Sequence, residues 1–551
     1  MLRLILLAWF ASAGMPLLLA ERPDCRLVYF PLPAEAGDAA KSKTLWQQAN
    51  SEIAAGDAAA AFHTLWQCHH ADPGNLLARR ALGLPPAKTS QVVTRRGRSA
   101  PPILRWRPGS YQQVETAHFT IFSTADPEAI ASVGEQLERF YWVWAQVFFP
   151  LWEGRTDVGR GLRGDGAIGR GNQRMQVVLF KDAADYIRTL NPHVPGIERS
   201  TGFYSDPQRC TFLFAGEEAD PATWQHELTH QLLSEATRSR LKPDQLPGEA
   251  SQFWLIEGIA TYMESVRFGK TQGWVGGWES PRLQFARYRW LSAGDSMPLA
   301  ELIPAGRIAA QQREDLARWY AHAAAYTHLL MDDQDHRYQQ ALFAQLTKEY
   351  AIPRLAEEPP IVSPPMDLQA ITKQMIPFLR LDDQRLFPPA TDVSLKAICL
   401  GRTRVTAAGL AALPPQPDLQ WLDLSGLAVD TADVTRLVPA PGSLDQLNLE
   451  RTAIDDSLAE WLHQASRLSE LDLSLTKIGD PALAELAAQT PLETVWLTGT
   501  QVTAETVKRL LRFKTLEQID VQGTQVSDSE IEQQRTENPE VHFNPLQLIA
   551  Q

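Results

Sequence analysis

The chain has 551 residues, a formal net charge of −13, 44% apolar residues and 21% charged residues. That length exceeds what one growing core supports, so two or more domains are expected, and the composition excludes disorder throughout. The acidic balance argues against a nucleic-acid or anionic-membrane partner, because phosphate binding needs clustered Lys and Arg and the only Arg-rich stretch is 155–174.

The chain opens with Met1-Leu2-Arg3, an apolar run over 4–10, small residues, and a second apolar run over 17–20 ahead of Glu21-Arg22. This reads as a secretory signal peptide over 1–20, cleaved after Ala20 or after Ala11-Ser12-Ala13; an uncleaved anchor is the alternative, although Gly14 and Pro16 interrupt the run. No long apolar segment follows, so the expectation is an exported protein with no membrane span after signal cleavage. The four cysteines, Cys25, Cys68, Cys210 and Cys399, lack Cys-x-x-Cys spacing; a Cys25–Cys68 disulfide and buried free thiols both remain open.

Residues 41–84 divide into helical stretches at 44–55, 58–70 and 76–82 around Gly56-Asp57 and Asp72-Pro73-Gly74-Asn75. The spacing of Ala49, Gly56, Ala60, Phe62, Leu65 and Pro73 resembles one tetratricopeptide unit, which needs a neighbour to lean on. His69-His70 are expected at an exposed helix end, and residues 85–110, rich in Pro, Arg and Ser, read as a linker. A compact domain over 111–350 then begins with an alternating strand, His118-Phe119-Thr120-Ile121-Phe122-Ser123, and a long aromatic-rich helix over 127–149. Residues 153–174 are Gly- and Arg-rich without periodicity and fit no phosphate-cradling loop, so a surface loop is expected. A strand over 175–180, a helix over 182–190 and a hairpin of 201–204 with 210–214 lead up to the next helix.

That helix carries His226-Glu227-Leu228-Thr229-His230, begun by Asp220 and Pro221. Two histidines four apart share one helix face and can reach a single metal ion, while Glu227 leans into the same cleft. A polar loop separates it from a second apolar helix, Phe253-Trp254-Leu255-Ile256-Glu257-Gly258-Ile259-Ala260-Thr261-Tyr262-Met263. Glu257 there is flanked by apolar residues, and a third protein ligand leaves a fourth position open for water. An edge strand of the preceding hairpin would let an extended peptide add itself alongside.

The two segments together resemble the gluzincin metallopeptidases, over about 110–350, and within them a branch of exported bacterial peptidase-like domains. The resemblance implies an α+β fold, one Zn2+ held by His226, His230 and Glu257, and Glu227 as general base in peptide-bond hydrolysis. Thermolysin-like members carry an Asp four residues after the ligand Glu; Thr261 stands there, and Glu264 or a backbone carbonyl is expected to orient a histidine instead. Related aminopeptidases carry a tyrosine beyond the Glu at a similar distance. Among Tyr320, His322 and Tyr326, Tyr320 is favoured as the oxyanion-stabilising group, and His328 is expected on a helix surface.

Prolines crowd 351–392, which reads as a linker with one short helix over 368–375. From residue 393 a repeat of period 24 or 25 starts at Leu395, Leu419, Leu444, Leu468, Leu492 and Leu516, with apolar residues three, five and ten places on. These six units over 393–551 resemble bacterial leucine-rich repeats, with Thr403, Thr452, Thr476, Thr500 and Thr524 where Asn is commoner. Such an α/β solenoid implies a convex helix per unit, as over 481–488, and a concave row of Cys399, Asp423, Asn448, Asp472, Trp496 and Asp520 that suits a protein partner. The expected whole is multidomain: a helical TPR-like segment, a gluzincin-like body and the repeat solenoid. Two functions fit it. One is an exported zinc-dependent peptidase acting on a peptide or protein substrate; the other is an inactive gluzincin-like scaffold binding partners through its repeats.

Overall fold

The structure is a computed structural model describing residues 24–84, 92–152, 155–165, 174–242, 245–333, 337–353, 366–387, 394–484, 486–487 and 489–544; the expected signal peptide lies outside them. The first nine described strands are β1 (Cys25–Tyr29), β2 (Val93–Arg96), β3 (Gln112–Glu115), β4 (Phe119–Ser123), β5 (Met175–Phe180), β6 (Phe203–Ser205), β7 (Cys210–Phe214), β8 (Arg267–Phe268) and β9 (Gln272–Gly276). Six of them form a sheet in the order β2-β3-β4-β5-β7-β6. Its centre, β4-β5-β7, is parallel, and these strands are buried almost throughout, which explains their nearly continuous apolar sequences.

The helix Pro127–Val147 starts where Asp126 accepts hydrogen bonds from the backbone of Glu128 and Ala129, and it buries Leu137, Phe140, Val143 and Trp144 in the same core. The helix Pro221–Glu235, capped by Asp220 through Ala222 N at 3.0 Å, packs on β6 and β7. The helix Phe253–Met263, every residue of it buried, lies against both that helix and Leu316–Asp332.

Three stretches depart from the sequence expectation. Part of the 85–110 linker is β2, an exposed edge strand paired antiparallel with β3, and Leu104 is buried; Val-Thr-Arg-Arg carries no apolar alternation, since backbone pairing and the ion pair of Arg95 with Glu115 recruit it. Within the loop expected over 153–174, Arg155–Arg163 is helical, and Val158 and Leu162, one turn apart, pack against the helices Ala39–Ala55 and Ala58–Ala71; residues 166–173 lie outside the described residues. Within the 351–392 linker, Leu368–Leu379 is a longer helix whose Ile371, Met375 and Leu379 enter the main core; residues 354–365 and 388–393 lie outside the description.

The N-terminal helices Ala39–Ala55, Ala58–Ala71 and Leu76–Ala81 do lean on a neighbour, with Phe62 stacked on Phe149 at 4.3 Å. His69 is not exposed: it is buried and accepts from Leu32 N at 3.1 Å. All four cysteines are free thiols, and three are buried.

Beyond residue 393 the strands β10 (Ala397–Cys399), β11 (Trp421–Asp423), β12 (Gln446–Asn448), β13 (Glu470–Asp472), β14 (Thr494–Trp496), β15 (Gln518–Asp520) and β16 (His542–Phe543) form one seven-stranded sheet in sequence order, all parallel. Their central apolar residues stack into a buried row, Ile398, Leu422, Leu447, Leu471, Val495, Ile519 and Phe543. After each of five strands a threonine hydroxyl donates to the carbonyl three residues back, as Thr452 to Leu449 O at 2.7 Å and Thr476 to Leu473 O at 2.6 Å. The helix expected over 481–488 is the shorter Asp480–Ala484, with 485 and 488 outside the description.

The first edge of this ladder is covered by the body before it. The helix Pro281–Arg287 and the π-helical turn Tyr288–Ser292 lie against β10 and β11. Cys399 N donates to Gln284 Oε1 at 2.9 Å, Arg287 donates to Cys399 O at 3.2 Å, and Ser292 Oγ donates to Asp423 Oδ2 at 2.6 Å. Trp421 packs edge-on to Tyr288 at 5.0 Å. The expected partner row is therefore corrected at its start: Cys399 and Asp423 are buried against the same chain, because an open strand edge and its polar groups need partners wherever they leave water.

Candidate metal centre

His226 and His230 lie one turn apart on the helix Pro221–Glu235, and their rings approach at 5.0 Å between centroids. Glu257 reaches them from the neighbouring buried helix, with Oε2 at 3.3 Å from His226 Nε2 and Oε1 at 3.8 Å from His230 Nε2. One ligand atom from each of the three residues lies within 4.8 Å of the other two. The corners of a tetrahedral zinc site with bonds of about 2.0–2.1 Å are roughly 3.3 Å apart, so this two-nitrogen, one-carboxylate donor set fits such an ion.

The ring of His226 is fixed from behind. Its Nδ1 is 2.9 Å from Glu264 Oε1, and Glu264 is gripped by Arg282 through Nε at 2.7 Å and Nη2 at 3.2 Å. Glu264 thus takes the orienting place that Thr261 leaves vacant. Thr261 is buried, and its hydroxyl donates to Gly258 O at 2.8 Å. Directing Nδ1 at a carboxylate leaves Nε2 facing Glu257 and His230.

Electrostatics single out the same group of residues. Burial lowers the proton affinity of His226, but Glu257 and Glu264 outweigh it and push its pKa to about 10. His230 is depressed to about 3, chiefly by burial and only partly offset by Glu257. Burial pulls Glu257 upward, yet the hydrogen bond to His226 and the histidine charges hold it at about 2. Glu227 is raised to about 7, first by burial and then by the neighbouring carboxylates working against His226. Its Oε2 accepts from Tyr204 N of edge strand β6 at 2.6 Å, so the strand that borders the cleft also positions Glu227.

Of the three residues on the helix Leu316–Asp332, only Tyr320 reaches the centre, its hydroxyl donating to Glu257 Oε2 at 3.0 Å. His322 faces Arg318 O and Asp295 O, and Tyr326 donates to Met297 O. His328 is not a surface residue as expected: it is buried between Ser280 Oγ at 3.0 Å and Asp332 Oδ2 at 3.2 Å. Sequence reasoning missed Arg282 and the Tyr204 backbone. Neither carries a local signal, since Arg282 sits on another helix and a backbone N–H has no sequence signature.

Compared with family models the chain finds no match, and a comparison with curated proteins finds none.

Proposed function

We propose that the chain is an exported zinc-dependent peptidase, with a gluzincin-like body and a leucine-rich-repeat array that recognises protein. The observation that carries this reading is the convergence of His226, His230 and Glu257 beside a half-buried Glu227. A zinc ion bound to His226, His230 and Glu257 supplies a Lewis acid that polarises a scissile carbonyl and makes water a nucleophile near neutral pH. Glu227, whose carboxylate is held by Tyr204 N, takes the proton from the attacking water and passes it to the leaving amine. Tyr320, whose hydroxyl reaches Glu257 Oε2, supplies an O–H for the developing oxyanion. Among the described strands β6 lies at the edge of its sheet, and an extended polypeptide aligns along that edge by backbone hydrogen bonds beside Tyr204 N, which Glu227 already holds.

The test compares wild type with Glu227→Ala for bound metal and for cleavage of an unfolded protein. Stoichiometric zinc in both, with turnover reduced at least about 100-fold in the variant, supports the reading. Equal cleavage by the two proteins would overturn the catalytic assignment, and absence of metal from wild type would overturn the site. The tyrosine is checked by Tyr320→Phe, which should lower kcat roughly 100-fold and leave KM nearly unchanged.

A further inference from the structure

Two cavities of the molecule differ in how the charges on their walls are met. At the junction of body and ladder, Arg287 and Arg385 share a volume of about 40 Å³ with Asp24 and Asp332, so positive and negative groups stand in equal number. A larger cavity, of about 110 Å³, opens where the N-terminal helices meet the body. Its walls come from β1, the helix Ala58–Ala71, the end of the helix Pro127–Val147 with the turn after it, and the helix Gln339–Glu349. It shares no residue with the metal centre.

The polar groups of this cavity are Arg26, His63, Gln146 and Gln339, and no carboxylate stands among its lining residues. Gln146 is spent inside the fold: its Oε1 accepts from Tyr29 N at 3.0 Å, and its Nε2 donates to Tyr29 O at 2.8 Å and to Trp142 O at 2.9 Å. Arg26, half-buried, is held among the described residues by neutral acceptors. Its Nη2 donates to Met331 O at 2.8 Å, and the Gln339 amide oxygen, turned toward the guanidinium, accepts from Nη1 and Nη2. The positive charge on this wall is therefore not neutralised, which is costly for a group partly withdrawn from water. The remaining wall is apolar: Phe62 stacks on Phe149 at 4.3 Å, and Val147 and Phe343 line the space with them, all four buried. Ala59, His63 and Pro150 are exposed and mark the mouth.

An apolar cavity of about 150 Å³ accepts benzene, so this one has room for a compact organic body but not for a folded segment. Its chemistry asks for that body to be apolar, displacing water from the four buried side chains, and to carry one negative group for the unmet charge at one wall. A guanidinium satisfies a carboxylate better than any neutral acceptor. We infer that this seam binds a small monocarboxylic acid of the phenylacetate class, its carboxylate at Arg26 and its apolar end among Phe62, Val147, Phe149 and Phe343. Because the walls belong to both the N-terminal segment and the body, the bound acid ties the two together. The inference stands apart from the peptidase reading and does not rest on it.

The test is calorimetric titration of the full-length protein with phenylacetate, with phenylacetamide, which keeps the body and removes the charge, and with acetate, which keeps the charge and removes the body. Phenylacetate should bind roughly tenfold more tightly than either. Arg26→Gln should abolish the preference for acid over amide. Ala59→Trp, at an exposed position on the mouth, should weaken phenylacetate about tenfold by filling the space, with the circular dichroism spectrum unchanged. Should Arg26→Gln fail to fold, the acid–amide comparison in wild type and the Ala59→Trp variant decide. Equal affinity for phenylacetate and phenylacetamide, or no binding of phenylacetate by folded wild type, overturns the inference. A carboxylate taken by the metal centre instead would survive both substitutions, and that outcome overturns it too.

Discussion

At the scale of single residues, the centre depends on a chain of contacts, Arg282 to Glu264 to His226, that no ligand motif contains. A carboxylate behind a ligand histidine fixes its tautomer and raises its basicity. Glu264→Gln should therefore weaken zinc binding about 10- to 100-fold while leaving the fold unchanged, as read by competition with a chelator and by circular dichroism. Unchanged affinity would show that His226 is oriented by its helix alone. The ligand trio was legible in the sequence because two of its members share one helical turn and the third sits on an unusually apolar helix. The groups behind the trio were not legible: Glu264 was one of two candidates to replace an Asp at Thr261, and Arg282 comes from a separate helix that only the tertiary fold brings near.

Among the elements, those with strong local signals stand where sequence expected them. Asp220-Pro221 begins the histidine helix, Asp126-Pro127 the long aromatic one, and the 24- or 25-residue spacing marks the parallel strands of the ladder. Elements made by distant pairing did not announce themselves. Among the described strands β1 pairs with β9 alone, with Cys25 opposite Gly276, and β2 is recruited by backbone pairing and the ion pair of Arg95 with Glu115. Within the ladder each turn threonine hydroxyl holds the carbonyl three residues back; at Leu400, Leu497 and Val521 the threonine's own N–H donates to that oxygen as well, whereas Leu473 O is held by the Thr476 hydroxyl. Thr476→Val, which keeps shape and removes the hydroxyl, should cost about 1–3 kcal/mol in denaturant unfolding, whereas Ser at the same place should cost less. Equal losses for Val and Ser would assign the threonine's role to packing.

For the whole molecule, the junction of body and ladder matters more than the notion of two modules joined by a linker suggests. Arg287 is buried there and donates to Leu379 O, Gln284 Oε1, Cys399 O and Trp278 O, three backbone segments and a side chain at once. Arg287→Ala removes four hydrogen bonds, of whose acceptors Gln284 Oε1 keeps Cys399 N and Leu379 O keeps Leu381 N, and leaves a void between the units. Stability should fall by about 3–5 kcal/mol, and unfolding followed by tryptophan fluorescence should split into two transitions. A single unshifted transition would mean that the two parts are held together elsewhere. The helix with Arg287 also carries Arg282, so the same element that closes the ladder's edge reaches the carboxylate behind His226.

Among the described residues, only the β10 end of the ladder is anchored in this way. The array therefore works as an arm of adjustable reach: each 24-residue unit added or removed beyond Asp423 moves its far end by one strand spacing, about 4.8 Å, while the anchored end and the metal ligands stay in place. Over its six strand-to-strand steps the arm already extends about 29 Å from the anchor. In such an arrangement, changes in repeat number alter how far the last strand stands from the anchored end without altering the placement of His226, His230 and Glu257.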